Sequence, residues 1–242
     1  MAETSVALVI GAGDATGGAV ARRFAREGFE ACVVRRKRES CERLIGEIEA
    51  AGGVGHPFGV DARKEDDVIA MFDEIETTIG PIEVFVFNIG ANSPGSILDE
   101  TARRYFKMWE LSCFAGFLTG REAARRMVPR GRGTIIFTGA TASLRGRALF
   151  SGFAGAKNAL HALAQSMARE LGPKGIHVAH PIIDAAIDTA FIRDNFPERY
   201  ALKDQDGIAN PDHIAEAYWQ LHRQPRDTWT FELDLRPWLE PW

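Results

Sequence analysis

The sequence is short of the features that mark several classes of protein. It contains three cysteines, and Cys32, Cys41 and Cys113 show no spacing typical of metal ligands, which argues against a disulfide framework or a zinc site. No uninterrupted apolar run approaches the roughly 18 residues that a membrane-spanning helix needs. The formal net charge of −4 gives no general attraction to nucleic acid or to an anionic membrane. Small molecules are therefore the expected partners.

Length and composition favour one domain. With 242 residues, of which 45% are hydrophobic, the chain can bury one substantial core, so we treat residues 1–242 as a single unit. The first strand pattern begins about five residues from Met1, which leaves no room for a signal peptide. We therefore expect a cytoplasmic protein with reduced cysteines.

Apolar runs and amphipathic stretches alternate along the chain. Runs typical of buried strands cover residues 6–10, 31–34, 53–60, 84–87, 134–137, 176–183 and 228–235. Helical patterns cover 39–51, 64–79, 101–127 and 150–171, and a mixed helical and loop-like stretch covers 189–224. Strands separated by helices predict right-handed crossovers and a parallel sheet. The sequence therefore predicts an α/β fold, a doubly wound Rossmann-type single domain in three layers, αβα.

This architecture also predicts where a ligand binds. In doubly wound sheets, ligands bind beyond the carboxyl ends of the strands, near the point where the strand order reverses. The loops expected to line the site follow Ile10, Val34, Val60, Phe87, Phe137 and Ile183. Pro181 lacks an N–H group, so it predicts that the strand at 176–183 stops pairing early or lies at an edge.

The turn after the first strand is typical of a phosphate site. Glycine permits positive φ and close approach, and a helix N-terminus directs N–H groups at an anion. The pattern departs from G-x-G-x-x-G because Thr16 holds the last position, and it fits G-x-x-x-G-x-G except for Ala15. An ordinary turn rich in small residues is the alternative. The residues that we predict to bind cofactor phosphates are Gly11, Gly13, Asp14, Ala15, Thr16 and Gly17.

The end of the second strand carries the basic run 35–38 in place of an acidic residue. A carboxylate at this position would bind the ribose hydroxyls of NAD and repel the 2′-phosphate of NADP. Guanidinium groups bind phosphate oxygens in pairs, so the run favours NADP(H) as the cofactor. We predict that Arg35 and Arg36 carry this preference. A solvated basic run that opens a helix is the alternative.

Taken together, these motifs resemble the short-chain dehydrogenase/reductase family over nearly the whole chain. The resemblance implies that Asp61 and Ala62 contact adenine. Asn88 and Gly90 resemble the later part of a family motif in which Phe87 replaces the first asparagine. It also implies that Lys157 binds the nicotinamide ribose. Ile187 and Thr189 resemble the carboxamide contact of the family, although Asp184-Ala185 stands where a Pro-Gly pair is expected.

The chain departs from the family in the reacting residues. An active member uses Asn, Ser, Tyr and Lys, and the matching positions here are Ser112, Ala140, Phe153 and Lys157. A phenyl ring has no exchangeable proton, so Phe153 cannot replace the tyrosine as an acid. By pattern, Phe153 also fits the apolar core stripe of its helix. The catalytic residues that we predict are Lys157 and Thr141, with Thr141 as the polarising hydroxyl.

Other protonatable groups stand near the expected site. Asp184 is a candidate acid, although such an aspartate more often caps a loop or helix. His161 is another candidate, although a helical histidine more often faces neighbouring structure. No His or Cys spacing indicates a metal.

Three functions stay open at this point. The leading hypothesis is an NADPH-dependent oxidoreductase with unorthodox proton delivery, acting on a small carbonyl, enone or imine. The second is a redox-inert protein that senses NADP(H) or serves in assembly. The third and weakest is a lyase or isomerase that keeps the scaffold. Support for redox chemistry at this stage is analogy between folds.

The resemblance also implies a homodimer or homotetramer, formed through the helix at 101–127 and the helix that carries Phe153. The stretch at 189–224 is expected to cover the substrate. Its first part mixes aromatic residues with cations, so it could close over an apolar body or over an anionic group.

Overall fold

The computed structural model describes residues 4–90 and 92–241. Its strands are β1 (Val6–Ile10), β2 (Glu30–Arg35), β3 (Val54–Gly59), β4 (Ile82–Phe87), β5 (Thr134–Phe137), β6 (Gly139–Ala140), β7 (His177–Ile183) and β8 (Glu232–Leu235). They form one sheet of parallel pairs in the order β3-β2-β1-β4-β5-β7. The short β6 follows β5 along the same side of β7, and β8 pairs with the other side of β7.

Helices cover both faces of this sheet. They are α1 (Thr16–Arg26), α2 (Glu42–Ala50), α3 (Glu65–Thr78), α4 (Ala102–Trp109), α5 (Ala115–Met127), α6 (Ser151–Leu171), α7 (Ala190–Asn195), α8 (Pro197–Tyr200) and α9 (Pro211–Arg223). One apolar cluster joins the sheet to α3, α5 and α6, and a second joins it to α1, α2 and α9. The predicted doubly wound α/β fold with three layers is confirmed.

The central strands of the sheet consist of uninterrupted apolar runs, and their burial explains why. All five residues of β1 are buried. Leu8 packs in the cluster with α3, α5 and α6, whereas Val9 packs in the cluster on the opposite face. Successive side chains of a strand point to opposite faces, so a strand covered on both sides requires apolar residues at every position.

The prediction drawn from Pro181 was wrong. β7 is an internal strand that pairs with β5 and β6 on one side and with β8 on the other. The N–H groups of His180 and Asp184 donate to carbonyls on the β8 side, at 2.6 and 2.9 Å. Because N–H direction alternates along a strand, the nitrogen of Pro181 faces the other side, where the ladder is interrupted between β5 and β6. The missing donor therefore falls in a gap that needs none.

Candidate active site

A cleft of about 390 Å³ lies at the carboxyl ends of the central strands. Gly11 and Gly13 after β1, Asp61 and Ala62 after β3, and Asn88 and Gly90 after β4 line it. Arg35 and Arg36 at the end of β2 line it as well. The structure thus brings together most of the residues that the sequence assigns to the cofactor, at the edge of the sheet that the fold predicts.

The turn after β1 depends on glycine at two positions. Gly11 has a φ of +82°, which favours glycine, and its N–H donates to the carbonyl of Val34 at 3.0 Å. A Cβ on Gly17 would lie 2.4 Å from the carbonyl oxygen of Gly11. The first turn of α1 therefore packs directly against the turn. The N–H of Gly18 donates to the carbonyl of Gly13 at 2.8 Å, and α1 has no side-chain N-cap, so the N–H groups of Thr16 and Gly17 are the ones that can face an anion.

The two arginines at the end of β2 differ in how firmly they are held. The guanidinium of Arg35 donates to the carbonyl of Ser40 at 2.6 Å and lies 3.6 Å from the carboxylate of Asp14. Arg36 is exposed at the edge of the cleft. Asp14 binds the guanidinium of Arg43 at 2.9 Å and is not among the cleft-lining residues. Asp14 therefore lies against the basic groups of the site.

Asp61 is engaged by a residue that the sequence analysis missed. Arg63 donates to both carboxylate oxygens of Asp61, at 2.8 and 2.6 Å, and to Glu110 at 3.0 Å. This hydrogen bonding holds the pKa of the Asp61 carboxyl below its usual value. An arginine two residues after the aspartate is a weak local signal for such a pair.

Asn88 ties two strands together at the cleft. Its side-chain amide donates to the carbonyl oxygen of Gly11 at 3.2 Å, and its backbone N–H donates to Ile10 at 2.8 Å. The end of β4 is thereby fixed to the turn after β1. Asn88 thus shapes the cleft by holding two loops in place.

Lys157 and Phe153 meet beside Gly90. A Cβ on Gly90 would lie 3.9 Å from Cε of Lys157 and 3.9 Å from Cε2 of Phe153. The ammonium of Lys157 donates to the carbonyls of Thr138 at 2.8 Å and Ile89 at 3.3 Å. Lys157 is buried, and desolvation lowers its pKa to about 8. Both side chains therefore lie beside the backbone of Gly90, although neither is among the residues that line the cleft.

Thr141 donates its hydroxyl proton to the carboxylate of Asp184. Asp184 is buried and lies 3.4 Å from the guanidinium of Arg236 and 3.8 Å from that of Arg145. The Asp184 carboxylate is the acceptor of the Thr141 hydroxyl. Because Thr141 has a single hydroxyl hydrogen, only the lone pairs of its oxygen stay available to other groups.

A second polar group is buried behind the turn at 139–143. The hydroxyl of Ser143 lies 3.1 Å from Nε2 of His180 and accepts the N–H of Ala140 at 3.2 Å. Burial lowers the pKa of His180 to about 3, so this imidazole is neutral. His161 stacks on it at 4.8 Å and binds Glu232 at 2.7 Å, so it faces neighbouring structure, as expected for a helical histidine.

Several predicted residues lie outside the lining of the cleft. Thr189 accepts the N–H of Ile192 at 3.1 Å and caps α7, and Ile187 pairs with Ala209. Ser112 is buried on a wider, π-helical turn that separates α4 from α5, where the sequence predicted one continuous helix. Within the described residues, its hydroxyl meets no hydrogen-bond partner. Thr16 is likewise buried, at the start of α1.

The described residues contain no group of three His, Cys, Asp or Glu side chains that could hold a metal ion. Over the same ranges, 4–90 and 92–241, no helix combines the length and apolar character needed to cross a bilayer. The three cysteines are free and buried.

Comparison with known proteins identifies the family. The model of the short chain dehydrogenase family matches residues 5–199. A short-chain dehydrogenase/reductase of Armillaria gallica is 32% identical over 186 residues, which cover 74% of this chain and 71% of that protein. The chain therefore belongs to the short-chain dehydrogenase/reductase family. Its relatives in this family are oxidoreductases.

Solved structures agree with this assignment. A short-chain dehydrogenase from Rhodopseudomonas palustris is 46% identical, with a TM-score of 0.83 and coverage of 97% of this chain and 99% of that one. A metagenomic short-chain oxidoreductase in complex with NADP is 25% identical, with a TM-score of 0.83 and coverage of 97% of each chain. These findings support a nicotinamide dinucleotide as the cofactor.

Proposed function

We propose that this protein is an NADPH-dependent oxidoreductase that reduces an activated carbonyl, a conjugated alkene or an imine without a phenolic acid. The observation that carries the proposal is that Lys157 and Phe153 both lie beside Gly90, which lines the same cleft as Arg35 and Arg36. The cofactor and the reacting group of the substrate would thus share one cleft.

The residues of the cleft fit a phosphorylated dinucleotide. The absence of a side chain at Gly17 lets α1 approach the turn, and a Cβ there would meet the carbonyl of Gly11 at 2.4 Å. A Cβ built on Gly13 would lie 3.8 Å from Nη2 of Arg35, so this guanidinium reaches the phosphate turn. We propose that Arg35 and Arg36 bind the 2′-phosphate, and that the N–H of Lys157 not held by main-chain carbonyls serves the reacting group rather than the nicotinamide ribose. The NADP in the metagenomic relative supports this choice.

The bound cofactor would supply a hydride, and the protein must supply a proton. Phe153 has none to give, and the hydroxyl proton of Thr141 is directed at Asp184. The Lys157 ammonium carries three N–H groups, and main-chain carbonyls account for two of them. We propose that Lys157 gives the proton to the anion that hydride addition leaves, and that solvent reprotonates the amine.

Thr141 has a different role in this proposal from the one expected of a polarising hydroxyl. Its hydrogen bond to Asp184 leaves only lone pairs toward the substrate, so Thr141 accepts a hydrogen bond from a substrate N–H or from water. A protonated imine offers such a donor through its N–H, whereas a simple ketone does not. Hydride addition to the protonated imine gives the neutral amine, so this substrate brings its own proton. Asp184 acts through Thr141 and is a positioning residue.

The inert alternative draws on the same observations. A site in which the phenol is replaced by Phe153 and the Thr141 proton is engaged by Asp184 can bind NADP(H) without turnover. Such a protein would serve as a sensor of the cofactor or as an assembly partner. Binding without oxidation separates the two functions.

The test is steady-state oxidation of NADPH with a panel of ketones, conjugated enones and cyclic imines, alongside calorimetric binding of NADPH. We expect binding together with oxidation by at least one substrate class. Binding of NADPH with no oxidation by any member of the panel would contradict the redox proposal and support the inert function.

We also propose that the protein is a homodimer or homotetramer. Four aromatic rings, Phe106, Trp109, Phe114 and Phe117, follow one another along α4, the π-helical turn and α5, with centroids 5.8, 5.9 and 6.3 Å apart. Phe106 and Phe117 are exposed. A dimer would cover this aromatic row. A monomeric mass in light scattering at micromolar concentration would contradict this proposal.

The free, buried cysteines support a reducing compartment such as the cytoplasm.

A further inference from the structure

A set of large apolar side chains is exposed on three loop segments at one end of the sheet. We call these six residues the apolar rim: Ile97, Leu98, Leu144, Leu149, Phe191 and Phe196. Leu98 is 92% exposed, and Phe191 is 65% exposed. Single exposed apolar residues need no explanation, but a group confined to the loops around one site does.

The three segments follow strands of one half of the sheet, in which β5 pairs with both β4 and β7, and β6 pairs with β7 beyond β5. Ile97 and Leu98 come after β4, Leu144 and Leu149 after β6, and Phe191 and Phe196 after β7. The first two segments are joined because the N–H of Gly95 donates to the carbonyl of Leu149 at 2.8 Å. The rim therefore lies on the loops that continue from Gly90, Thr141 and Asp184.

The charges of the segment after β7 are paired within the protein. Each of its three cations has a carboxylate partner, as follows: Arg193 with Asp194 at 2.9 Å, Arg199 with Glu240 at 2.8 Å, and Lys203 with Asp188 at 2.8 Å. Phe191 and Phe196 stay exposed, with ring centroids 5.9 Å apart. The sequence left open whether this segment closes over an apolar body or over an anion. The pairing favours the apolar body.

The cations of the segment after β6 are also directed at protein groups. Arg145 lies 3.8 Å from the carboxylate of Asp184, and Arg147 lies over the ring of Phe150 at 5.8 Å. An anionic substrate tail would have to compete with these partners. Leu144 and Leu149, which flank the two cations in the sequence, have no such competition.

Leu149 is held in an unusual backbone conformation. Its φ is +72°, in the left-handed region that costs free energy for a residue with a Cβ, and its side chain is more than half exposed. Glycine would fit this backbone without strain. A strained leucine whose side chain is directed at solvent is a candidate for ligand contact.

We infer that the substrate carries an apolar hydrocarbon body of several carbons beside its reacting double bond, and that the apolar rim binds this body. The inference rests on the proposed redox function for the reacting group. The rim itself is a binding surface that can be tested without turnover.

The first experiment measures kcat/KM with NADPH for butenone, hexenone, octenone and decenone, each beside its counterpart that ends in a carboxylate. We expect kcat/KM to rise about two- to fourfold for each added methylene over the first several carbons, since burial of a methylene favours binding by that factor. The carboxylate counterparts are expected to lose about tenfold or more at equal length.

The second experiment uses Leu149→Gly and Phe191→Ser, with Val54→Ser as the matched control. Val54 is also exposed but begins β3 at the opposite edge of the sheet. We expect both rim variants to lower kcat/KM for decenone about fivefold or more and to leave butenone unchanged. The control is expected to change neither. Leu149→Gly is also expected to keep or raise Tm, because it removes the strain.

A third measurement separates the rim from the redox proposal. Decanol and decanoate are titrated calorimetrically into the protein with NADP⁺, and light scattering gives the oligomer mass of each variant. Decanol binding that weakens in both rim variants supports the rim even if no substrate is reduced. Turnover with no dependence on chain length, a preference for carboxylates, or a mass that changes in Phe191→Ser would overturn the rim proposal, the last in favour of a second copy of the chain.

Discussion

The cofactor half of the site and its reaction half are built in different ways. The ends of β1 and β2 form their part of the site with backbone and charged groups. Gly11 and Gly17 allow a close turn, and Arg35 and Arg36 line the cleft. At the ends of β4 to β7, side chains hold one another, as Thr141 does with Asp184 and Ser143 with His180. In our proposal the first half binds the cofactor, and the second half works without the reacting hydroxyls that the family resemblance leads one to expect.

The largest effect that would break this comparison is expected at Lys157. In our account Lys157→Met removes the proton donor, and general acids contribute about 10²–10⁴-fold in rate. We therefore expect kcat/KM to fall by about 10²-fold or more, measured by NADPH oxidation. Lys157→Arg should be equally slow, because a guanidinium does not release its proton.

Lys64→Met, at an exposed lysine before α3, is the matched control and should keep the wild-type rate. A near-normal rate in Lys157→Met, with the fold intact by circular dichroism, would remove the amine from the reaction.

The next effect is on cofactor choice. The double variant Arg35→Ser with Arg36→Ser is expected to weaken NADPH binding about 10–100-fold, since charge-assisted hydrogen bonds to phosphate are lost, and to leave NADH binding unchanged. Isothermal titration with each cofactor measures this. Lys37→Ser, within the same basic run, should leave the ratio of the two affinities as it is. Equal losses for both cofactors would mean that these arginines only support the fold.

The pH dependence sharpens the role of the reaction half. Burial lowers the pKa of Lys157 to about 8, and a proton donor acts only in its protonated form. The reduction rate should therefore be level below about pH 8 and fall about tenfold per unit above it. A rate that rises across this range would assign a base, rather than an acid, to Lys157.

The smallest effect is expected at Thr141. Thr141→Val removes the lone pairs offered to a substrate and leaves Asp184 with its two guanidinium partners, so we expect a loss of about tenfold with an imine and little change with a ketone. Thr141→Ser keeps the hydroxyl and should restore most of the rate. A larger loss with ketones than with imines would show that Thr141 donates rather than accepts.

The same division governs what the sequence could predict. The fold, the glycine turn and the basic end of β2 depend on local patterns, and the structure finds Gly11, Arg35, Asp61 and Gly90 around one cleft. The pairing of Thr141 with Asp184, 43 positions apart, depends on the full path of the chain. Pro181 misled for the same reason, since only the sheet order reveals the gap that its missing N–H faces.

Arg63 shows a further limit of local reasoning. Arg63 and Asp61 are two positions apart in the sequence, whereas Glu110, the second partner of Arg63, lies on a helical turn far along the chain. A spacing rule can find the first contact and not the second. The resulting group of Asp61, Arg63 and Glu110 is visible only in the structure.

The most direct test of the account is calorimetric titration of the purified protein with NADPH and with NADH. The glycine turn, the arginines of β2 and buried Lys157 predict saturable binding of NADPH, at least about tenfold tighter than that of NADH, because only the former carries the 2′-phosphate. Absence of binding by either nucleotide, or equal affinity for both, would contradict the account.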